Sequence, residues 1–259
     1  MKTIRCLWTT IFLVIAISGC SHLQKNNDVL FQTSTIDALL EGVYDGGITY
    51  EKLRQHGDFG IGTFNGLDGE MIGLEGKFYQ IKADGKAYPV DGSLKTPFAV
   101  VTLFEPDKSV LLEQHLDYNQ LAQYLDSLLP TKNIFYAIKI DGMFKYIKTR
   151  SVPKQNKPYP PLVEVVKNQP KFEFHDVEGT IVGFWCPVYV EGINVPGYHL
   201  HFITGDKKAG GHLLECQIKD VKVEIDYTSE FYMALLESSE FFEVDLAKDK
   251  QAELDKVEK

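Results

Sequence analysis

Residues 197–215 read GYHLHFITGDKKAGGHLLE and combine two predicted β-strands with three histidines. His199 and His201 are two residues apart, and side chains two apart on a strand point to the same face of the sheet. The Gly-rich run over 205–211 predicts a turn, after which His212 begins a second strand. Because a hairpin of this length can bring His212 opposite His201, the stretch predicts a strand pair that directs three imidazoles toward one point.

Three converging imidazoles are typical of a catalytic metal centre. Neutral imidazole suits zinc and neighbouring divalent ions, and three protein ligands leave a coordination position open for water or substrate. The sequence therefore predicts zinc, or another divalent ion, bound by His199, His201 and His212. The alternative interpretation is a surface hairpin with three solvated histidines. The remaining histidines, expected to be surface or packing residues, are His22, His56, His115 and His175.

β-Structure is also predicted on both sides of this hairpin. Short apolar runs separated by glycine dominate the chain, and Asp-Gly pairs between such runs are a strong hairpin signal. These pairs occur at 68–69, 84–85, 91–92 and 141–142. The last pair predicts a turn between a strand over 134–140 and a strand over 144–148.

Helical spacing of apolar residues is confined to a few segments. It predicts helices over 119–129, which Pro130 would end, and over 229–238. The charged tail over 245–259 is helix-prone. More strand than helix predicts the α+β or mixed α/β class, with two domains built on mixed β-sheets.

Residues 151–161, SVPKQNKPYPP, contain four prolines. No helix or central strand tolerates that density of proline. The run therefore predicts a crossover between an N-terminal α/β domain over 29–150 and a C-terminal metal-binding domain over 162–259. A single domain with a rigid crossover is the alternative.

The overall composition is that of an acidic globular protein. The chain has 259 residues, 44% of them hydrophobic, and a formal net charge of −9. A protein that grips nucleic acid by its phosphates needs a basic surface, so no nucleic-acid partner is expected. Four cysteines do not make a disulfide scaffold in a chain of this length. Cys186 and Cys216 lie in predicted strands, either as buried free thiols or as a pair formed in an oxidising compartment.

The first 20 residues, MKTIRCLWTTIFLVIAISGC, have the layout of an export signal. Lys2 and Arg5 precede an apolar run that is too short to span a bilayer. The run ends in Ile-Ser-Gly-Cys, which resembles a bacterial lipoprotein box. We therefore expect a signal peptide over 1–19, a lipid on Cys20 and a polar tether over 20–28, so that the exported protein is anchored to the cell envelope. An ordinary secretory signal is the alternative.

Glu70 and Arg150 become candidates only through their neighbours. Glu70 ends the run TFNGLDGE over 63–70, at a Gly-rich turn before an apolar strand, and Arg150 opens the Pro-rich segment. By themselves, a solvated loop glutamate and a surface arginine are the default interpretations.

Four stretches, in this order along the chain, together resemble the bacterial α-acetolactate decarboxylase family. They are 60–75 (GIGTFNGLDGEMIGLE), 150–161 (RSVPKQNKPYPP), 179–187 (GTIVGFWCP) and 197–216 (GYHLHFITGDKKAGGHLLEC). The resemblance implies a homodimeric, zinc-dependent lyase of acetoin biosynthesis with two mixed α/β domains. It would convert (S)-2-acetolactate to (R)-acetoin and CO2 through a zinc-stabilised enediolate, without an organic cofactor.

The resemblance also implies roles for individual residues. His199, His201 and His212 match the three metal ligands of the family. Thr63 matches a polar contact to the substrate. Arg150 matches the active-site arginine, whose guanidinium would bind the leaving carboxylate or the enediolate oxygen with a planar fork that lysine lacks.

Two glutamates complete the implied site. Glu70 matches an active-site glutamate, and the family sends another glutamate into the site from near its C-terminus. Glu258 is the preferred match for that tail residue, and Glu253 is the alternative. Either Glu70 or Glu258 would deliver the proton, for which burial would have to raise its pKa.

Two other functions fit part of the pattern. A cupin-like metal enzyme also places His-x-His on a strand, but cupins normally follow it with a glutamate, and residues 203–208 contain none. An exported lipoprotein that captures zinc without turnover would keep the histidines but has no need of Glu70 and Arg150. The presence of both residues favours catalysis.

Overall fold

A computed structural model describes residues 27–258 of the chain. The predicted signal peptide, Cys20 and most of the predicted tether lie outside the described residues, as does Lys259. Within residues 27–258, no helix is both long and apolar enough to cross a lipid bilayer.

Strands outnumber helices in the described chain, as the sequence predicts. The strands are β1 (Val29–Thr33), β2 (Ile48–Thr49), β3 (Phe59–Thr63), β4 (Glu70–Leu74), β5 (Lys77–Ile81), β6 (Ala87–Pro89), β7 (Lys95–Thr96), β8 (Ala99–Thr102), β9 (Lys108–Leu112), β10 (Leu116–Asp117), β11 (Phe135–Arg150), β12 (Lys171–Cys186), β13 (Gly197–Thr204), β14 (Gly210–Thr228) and β15 (Glu230–Ala234). The helices are α1 (Ile36–Leu40), α2 (Tyr50–Leu53), α3 (Tyr118–Leu128), α4 (Leu162–Val165), α5 (Ser239–Glu243) and α6 (Gln251–Glu258). Single turns of 3-10 helix lie at Asn65–Leu67, Val166–Asn168 and Val188–Val190.

The strands form two large sheets. A seven-stranded sheet has the order β15-β1-β8-β3-β4-β5-β6, in which β1 and β15 are parallel and the other pairs antiparallel. A six-stranded antiparallel sheet has the order β10-β14-β11-β12-β13, with β9 also paired to β14. In this second sheet β13 pairs in addition with the start of β14. Strands β11 to β14 therefore close into a ring. These mixed sheets with few helices confirm the predicted fold class.

The two sheets share one core. Leu30 and Ile61 of the first sheet belong to the same buried cluster as Val182 and Phe184 of the second. Phe184 meets Phe59 of β3 edge to face, with ring centroids 6.0 Å apart. Burial of each such side chain contributes about 1.5–3 kcal/mol. This packing fixes the two sheets relative to each other, so side chains from both can form one site.

A second buried cluster lies against the ring of β11 to β14. It includes Leu121 and Leu125 of α3 together with apolar side chains of the ring strands. α3 forms where the spacing over 119–129 predicts it, and Asp117 and Gln120 cap its start reciprocally in a capping box. Cys186 and Cys216 are both buried and free, one in each cluster.

The Pro-rich segment does not coincide with the change from one sheet to the other. The first sheet uses strands within residues 29–102 and 230–234, whereas the second uses strands within 108–228. β11 and β12, which flank the segment, are neighbours in the second sheet. The predicted units 29–150 and 162–259 therefore both contribute strands to that sheet.

The prediction of a helix over 229–238 is wrong. Residues 230–234 form β15, whose backbone pairs in parallel with β1 from Val29 to Thr33. Phe231 stacks on Phe135 of β11, with ring centroids 5.2 Å apart. Pairing at a sheet edge and packing across it outweigh a short run of helically spaced apolar residues.

The prediction of a turn at the Asp-Gly pair 141–142 is also wrong. β11 runs without a break through this pair, and its register with β14 shifts just after Gly142. Gly142 has a φ of 151°, and a Cβ there would lie 2.4 Å from the carbonyl oxygen of Asp220. The glycine therefore accommodates a bulge and a close backbone approach in a long strand, which is the other common use of glycine in a sheet.

Candidate metal centre and active site

The predicted histidine hairpin forms where the ring of strands closes. β13 carries His199 and His201, and β14 begins two residues before His212. His201 and His212 are direct partners across the two strands. Gly211 has a φ of 143°, and a Cβ there would lie 2.4 Å from the carbonyl oxygen of Arg150. Glycine at this position therefore lets His212 enter the sheet directly beside the end of β11.

The three imidazoles converge in the interior. One ring nitrogen from each lies within 4.8 Å of the others, and all three side chains are buried. Burial, with a smaller effect from the Arg150 cation, lowers the pKa of His199 to about 3. Burial likewise holds the pKa values of His201 and His212 well below the usual range. At neutral pH the rings are therefore uncharged and offer lone pairs, the form that binds a metal.

The hydrogen bonding of the rings fits a metal. His201 Nδ1 lies 2.9 Å from the carbonyl oxygen of Met71, which only accepts, so Nδ1 carries the proton and Nε2 has the lone pair. His201 Nε2 and His199 Nδ1 are buried with no hydrogen-bond partner within residues 27–258. Such atoms each cost about 1–3 kcal/mol, a cost that a coordinated cation removes. Three imidazole nitrogens, one ring fixed by a carbonyl, suit zinc or a similar divalent ion.

Two glutamates reach the histidines from different elements. Glu70 begins β4, and its Oε2 lies 3.8 Å from His201 Nε2. Glu258 ends α6, and its Oε2 lies 3.6 Å from His199 Nε2 and 3.7 Å from His212 Nε2. Both carboxyl groups are largely removed from solvent.

Burial also changes the ionisation of both glutamates. It raises the pKa of Glu70 to about 7, and the nearby Arg150 cation only partly opposes this effect. It raises the pKa of Glu258 above its ordinary value, again against Arg150. A carboxyl group with a raised pKa can hold a proton near neutral pH and deliver it in a reaction.

Arg150 is the last residue of β11 and is 3% exposed. Its Nη1 donates to Oε1 of Gln169 at 2.9 Å. Its Nε is buried and has no acceptor in the described part of the chain. A guanidinium stays charged in proteins, so the buried donor without a partner is suited to bind an anionic ligand. No sequence pattern predicts Gln169, whose contact with Arg150 is created by the fold.

Thr63 is the last residue of β3 and pairs with Glu70 across the strands. Its hydroxyl donates to the carbonyl oxygen of Gly69 at 2.7 Å. The hydroxyl proton is therefore engaged in the turn that leads into Glu70, and the oxygen keeps its capacity to accept. Thr63 fixes the position of Glu70 as well as lining the site.

One cavity brings together every site residue that was predicted within the described chain, apart from the alternative Glu253. These residues are Thr63, Glu70, Arg150, His199, His201, His212 and Glu258. The other lining residues, absent from the sequence prediction, are Ile36, Leu39, Gly62, Leu67, Phe98, Val152, Leu162, Val166 and Val257. This apolar wall limits water and strengthens the electrostatic interactions inside. Glu253 lies outside the cavity lining, and its carboxylate pairs with Lys250 at 3.1 Å, so the geometry favours Glu258.

A cavity between two mixed sheets that combines an apolar wall with buried ionisable side chains is the setting of an enzyme, and its histidine triad could hold a metal ion. The profile of the alpha-acetolactate decarboxylase family matches residues 30–248. The alpha-acetolactate decarboxylase of Methanosarcina mazei is 54% identical over 90% of this chain and 81% of its own length. That of Methylococcus capsulatus is 52% identical over 88% of each chain. The chain belongs to the α-acetolactate decarboxylase family of carboxy-lyases, which confirms the resemblance seen in the sequence.

A solved structure agrees with this assignment. The crystal structure of alpha-acetolactate decarboxylase from Bacillus subtilis strain 168 matches with a TM-score of 0.87 and 43% identity. The match covers 89% of this chain and 99% of that one. Membership of the family does not favour a cupin-like enzyme or a lipoprotein that only captures zinc. The matched residues 30–248 include all the predicted residues that line the cavity except Glu258, which lies beyond them.

Replacement of one histidine tests the metal centre. We expect His199→Ala to weaken metal binding by more than ~100-fold, because loss of a direct ligand costs more than loss of a supporting group. Metal content per chain after dialysis, measured by plasma mass spectrometry, is the readout. His175→Ala is the matched control, since His175 is exposed on β12 and does not line the cavity. A His199→Ala protein that keeps as much metal as this control would contradict the assignment.

Proposed function

We propose that this protein converts (S)-2-acetolactate to (R)-acetoin and CO2, with zinc or a similar divalent ion bound by His199, His201 and His212. One observation carries the proposal. Three uncharged imidazoles, a buried arginine with an unpartnered Nε and two glutamates with raised pKa values line a single cavity. Decarboxylation of a β-keto acid needs an electron sink, an anion-binding group and a proton donor. A metal ion held by the imidazoles would supply the first, and Arg150 and the glutamates would supply the other two.

The reaction defines what each group must do. The bond between the carboxyl carbon and the carbinol carbon breaks, its electron pair moves toward the neighbouring ketone, and CO2 leaves. The resulting enediolate then takes up one proton at the carbinol carbon. When bound, the metal supplies a Lewis acid that polarises the ketone and hydroxyl oxygens.

Arg150 binds the anionic part of the substrate. Its guanidinium is fixed on one side by Gln169, while Nε has no acceptor among the described residues. Two parallel N–H donors match a carboxylate, or the paired oxygens of an enediolate. In the apolar cavity such a contact also orients the carboxyl group relative to the ketone, which sets the direction in which the bond breaks.

Glu70 or Glu258 delivers the proton. The two carboxyl groups come from β4 and α6, so they approach the histidines from different elements. The raised pKa of each favours the protonated form that a donor needs. Delivery from one side of the enediolate produces one enantiomer of acetoin.

The activity itself is tested with purified residues 20–259. We expect the protein to release (R)-acetoin from racemic acetolactate faster than the spontaneous reaction. In the cavity, Arg150 orients the substrate and a glutamate delivers the proton from one side, whereas the free substrate in water has neither. Chiral gas chromatography measures both the rate and the configuration of the product. Product formed at the spontaneous rate, or as an equal mixture of enantiomers, would refute the proposal.

Arg150→Lys separates anion binding from metal binding. Lysine keeps the charge but lacks the planar pair of donors, so we expect kcat to fall at least ~100-fold while metal content stays that of the wild-type protein. Steady-state kinetics and metal analysis of the same preparation give both values. An Arg150→Lys protein with wild-type kcat would exclude the guanidinium from the reaction.

The sequence also leads us to propose a homodimer that is exported and anchored through a lipid on Cys20. Labelled fatty acid should enter the full-length protein in a bacterial host and should not enter a Cys20→Ala variant, because lipidation requires the thiol. Label in the variant equal to that in the wild-type protein would refute the anchor.

A further inference from the structure

A second cavity adjoins the active-site cavity between α4 and α6. The two cavities share Arg150, Val166 and Val257 in their walls. The second cavity is further lined by four lysines, which define it here as the lysine groove: Lys148, Lys167, Lys171 and Lys256. Because Arg150 belongs to both cavities, the lysine groove ends at the buried cation of the active site.

The lysine groove is positively charged, whereas the protein as a whole is negatively charged. Its lining contains the four lysines and Arg150, and its only carboxylate is Glu215. The whole chain, in contrast, carries a formal net charge of −9. A local concentration of cations in an acidic protein creates a positive potential confined to one opening.

Two of the lysines are uncompensated. Lys148 pairs with Glu215 at 2.7 Å, and Lys167 pairs with Glu164 at 2.6 Å. Lys171 and Lys256 are exposed, and neither has an ion-pair partner within residues 27–258. Lys171 begins β12, and Lys256 lies on α6 two residues before Glu258. These two side chains therefore leave net positive charge on two separate elements of the groove wall.

A third cavity, on another side of α6, has the opposite character. It adjoins the active site through Glu258, and its lining contains Asp255 but no lysine or arginine. An anion that approached along this side would meet the Asp255 carboxylate and no cation. Of the two cavities that adjoin the active-site cavity along α6, only the lysine groove favours an anion.

We propose that the lysine groove is the path by which the carboxylate substrate reaches Arg150, and that Lys171 and Lys256 attract it there. The inference rests on the proposed function, whose substrate is a small anion. Exposed charges act over about 8–10 Å at physiological ionic strength, which is sufficient for a groove that leads to a buried arginine. The lysines do not line the active-site cavity itself. They therefore affect kcat/KM and its dependence on salt, whereas kcat depends on the residues inside the active-site cavity.

The test is a double charge reversal, Lys171→Glu with Lys256→Glu, compared with Lys171→Gln with Lys256→Gln. At low ionic strength we expect kcat/KM to fall roughly tenfold in the reversed protein and less in the neutral one. The loss should largely disappear at about 0.5 M salt, where charges are screened. We expect kcat to stay within about twofold of the wild-type value.

The matched control is Lys77→Glu with Lys95→Glu. Both lysines are exposed, lie on β5 and β7, and line none of these three cavities. The control changes the net charge by the same amount, so its kcat/KM should stay close to the wild-type value. Lys171→Glu alone adds a variant outside α6, and it should show part of the same salt-dependent loss without altering the helix that carries Glu258.

The outcomes separate the two proposals. A wild-type protein that forms acetoin, with kcat/KM equal in the groove and control variants, would overturn the groove and leave the proposed function intact. Loss of kcat at every salt concentration, in the single and double groove variants alike, would also overturn it, since that pattern indicates a structural role. A wild-type protein that forms no acetoin would overturn the proposed function and, with it, this inference.

Discussion

The pairing of β13 with the first residues of β14 is the constraint on which the rest of the site depends. It closes β11 to β14 into a ring and sets His201 directly opposite His212. The same closure places the start of β14 against the end of β11, so Arg150 stands beside His212 in the register. Backbone hydrogen bonds thus fix the spacing of the histidines and the arginine before any ligand is present.

Exclusion of water from the active-site cavity explains the protonation states of its histidines and glutamates. Low dielectric surroundings disfavour charge, so the imidazoles lose their protons and the glutamates tend to keep theirs. The Arg150 cation lies beside them and partly opposes the rise in the pKa values of the two glutamates. Burial therefore prepares both the imidazoles and the carboxyl groups. The first sheet contributes to this burial, because β4 brings Glu70 and the Met71 carbonyl against the ring.

The sequence predicted the parts of the site that depend on local geometry. The alternation of strand side chains and a Gly-rich turn were enough to predict the His199, His201 and His212 arrangement. The other residues of the active site, Thr63, Glu70, Arg150 and Glu258, follow only from the family resemblance, because their proximity is created by packing between distant elements. The apolar wall and Gln169 had no local signal for the same reason.

The errors in the fold prediction have a related origin. Residues 229–238 have apolar spacing suited to a helix, but the free edge of β1 supplies a partner that isolated sequence does not reveal. The Asp-Gly pair at 141–142 is a turn signal, but it lies inside the continuous strand β11, where the register with β14 shifts. In both cases pairing with a strand distant in sequence outweighs the local preference.

We propose that one metal ion per chain, held by His199, His201 and His212, makes the cavity a decarboxylase. The decisive experiment is titration of metal-free protein with zinc, with acetoin formation as the readout. We expect no acetoin above the spontaneous rate without zinc, and a linear rise to a plateau at one equivalent per chain. Full activity in the metal-free protein would refute the proposed metal centre.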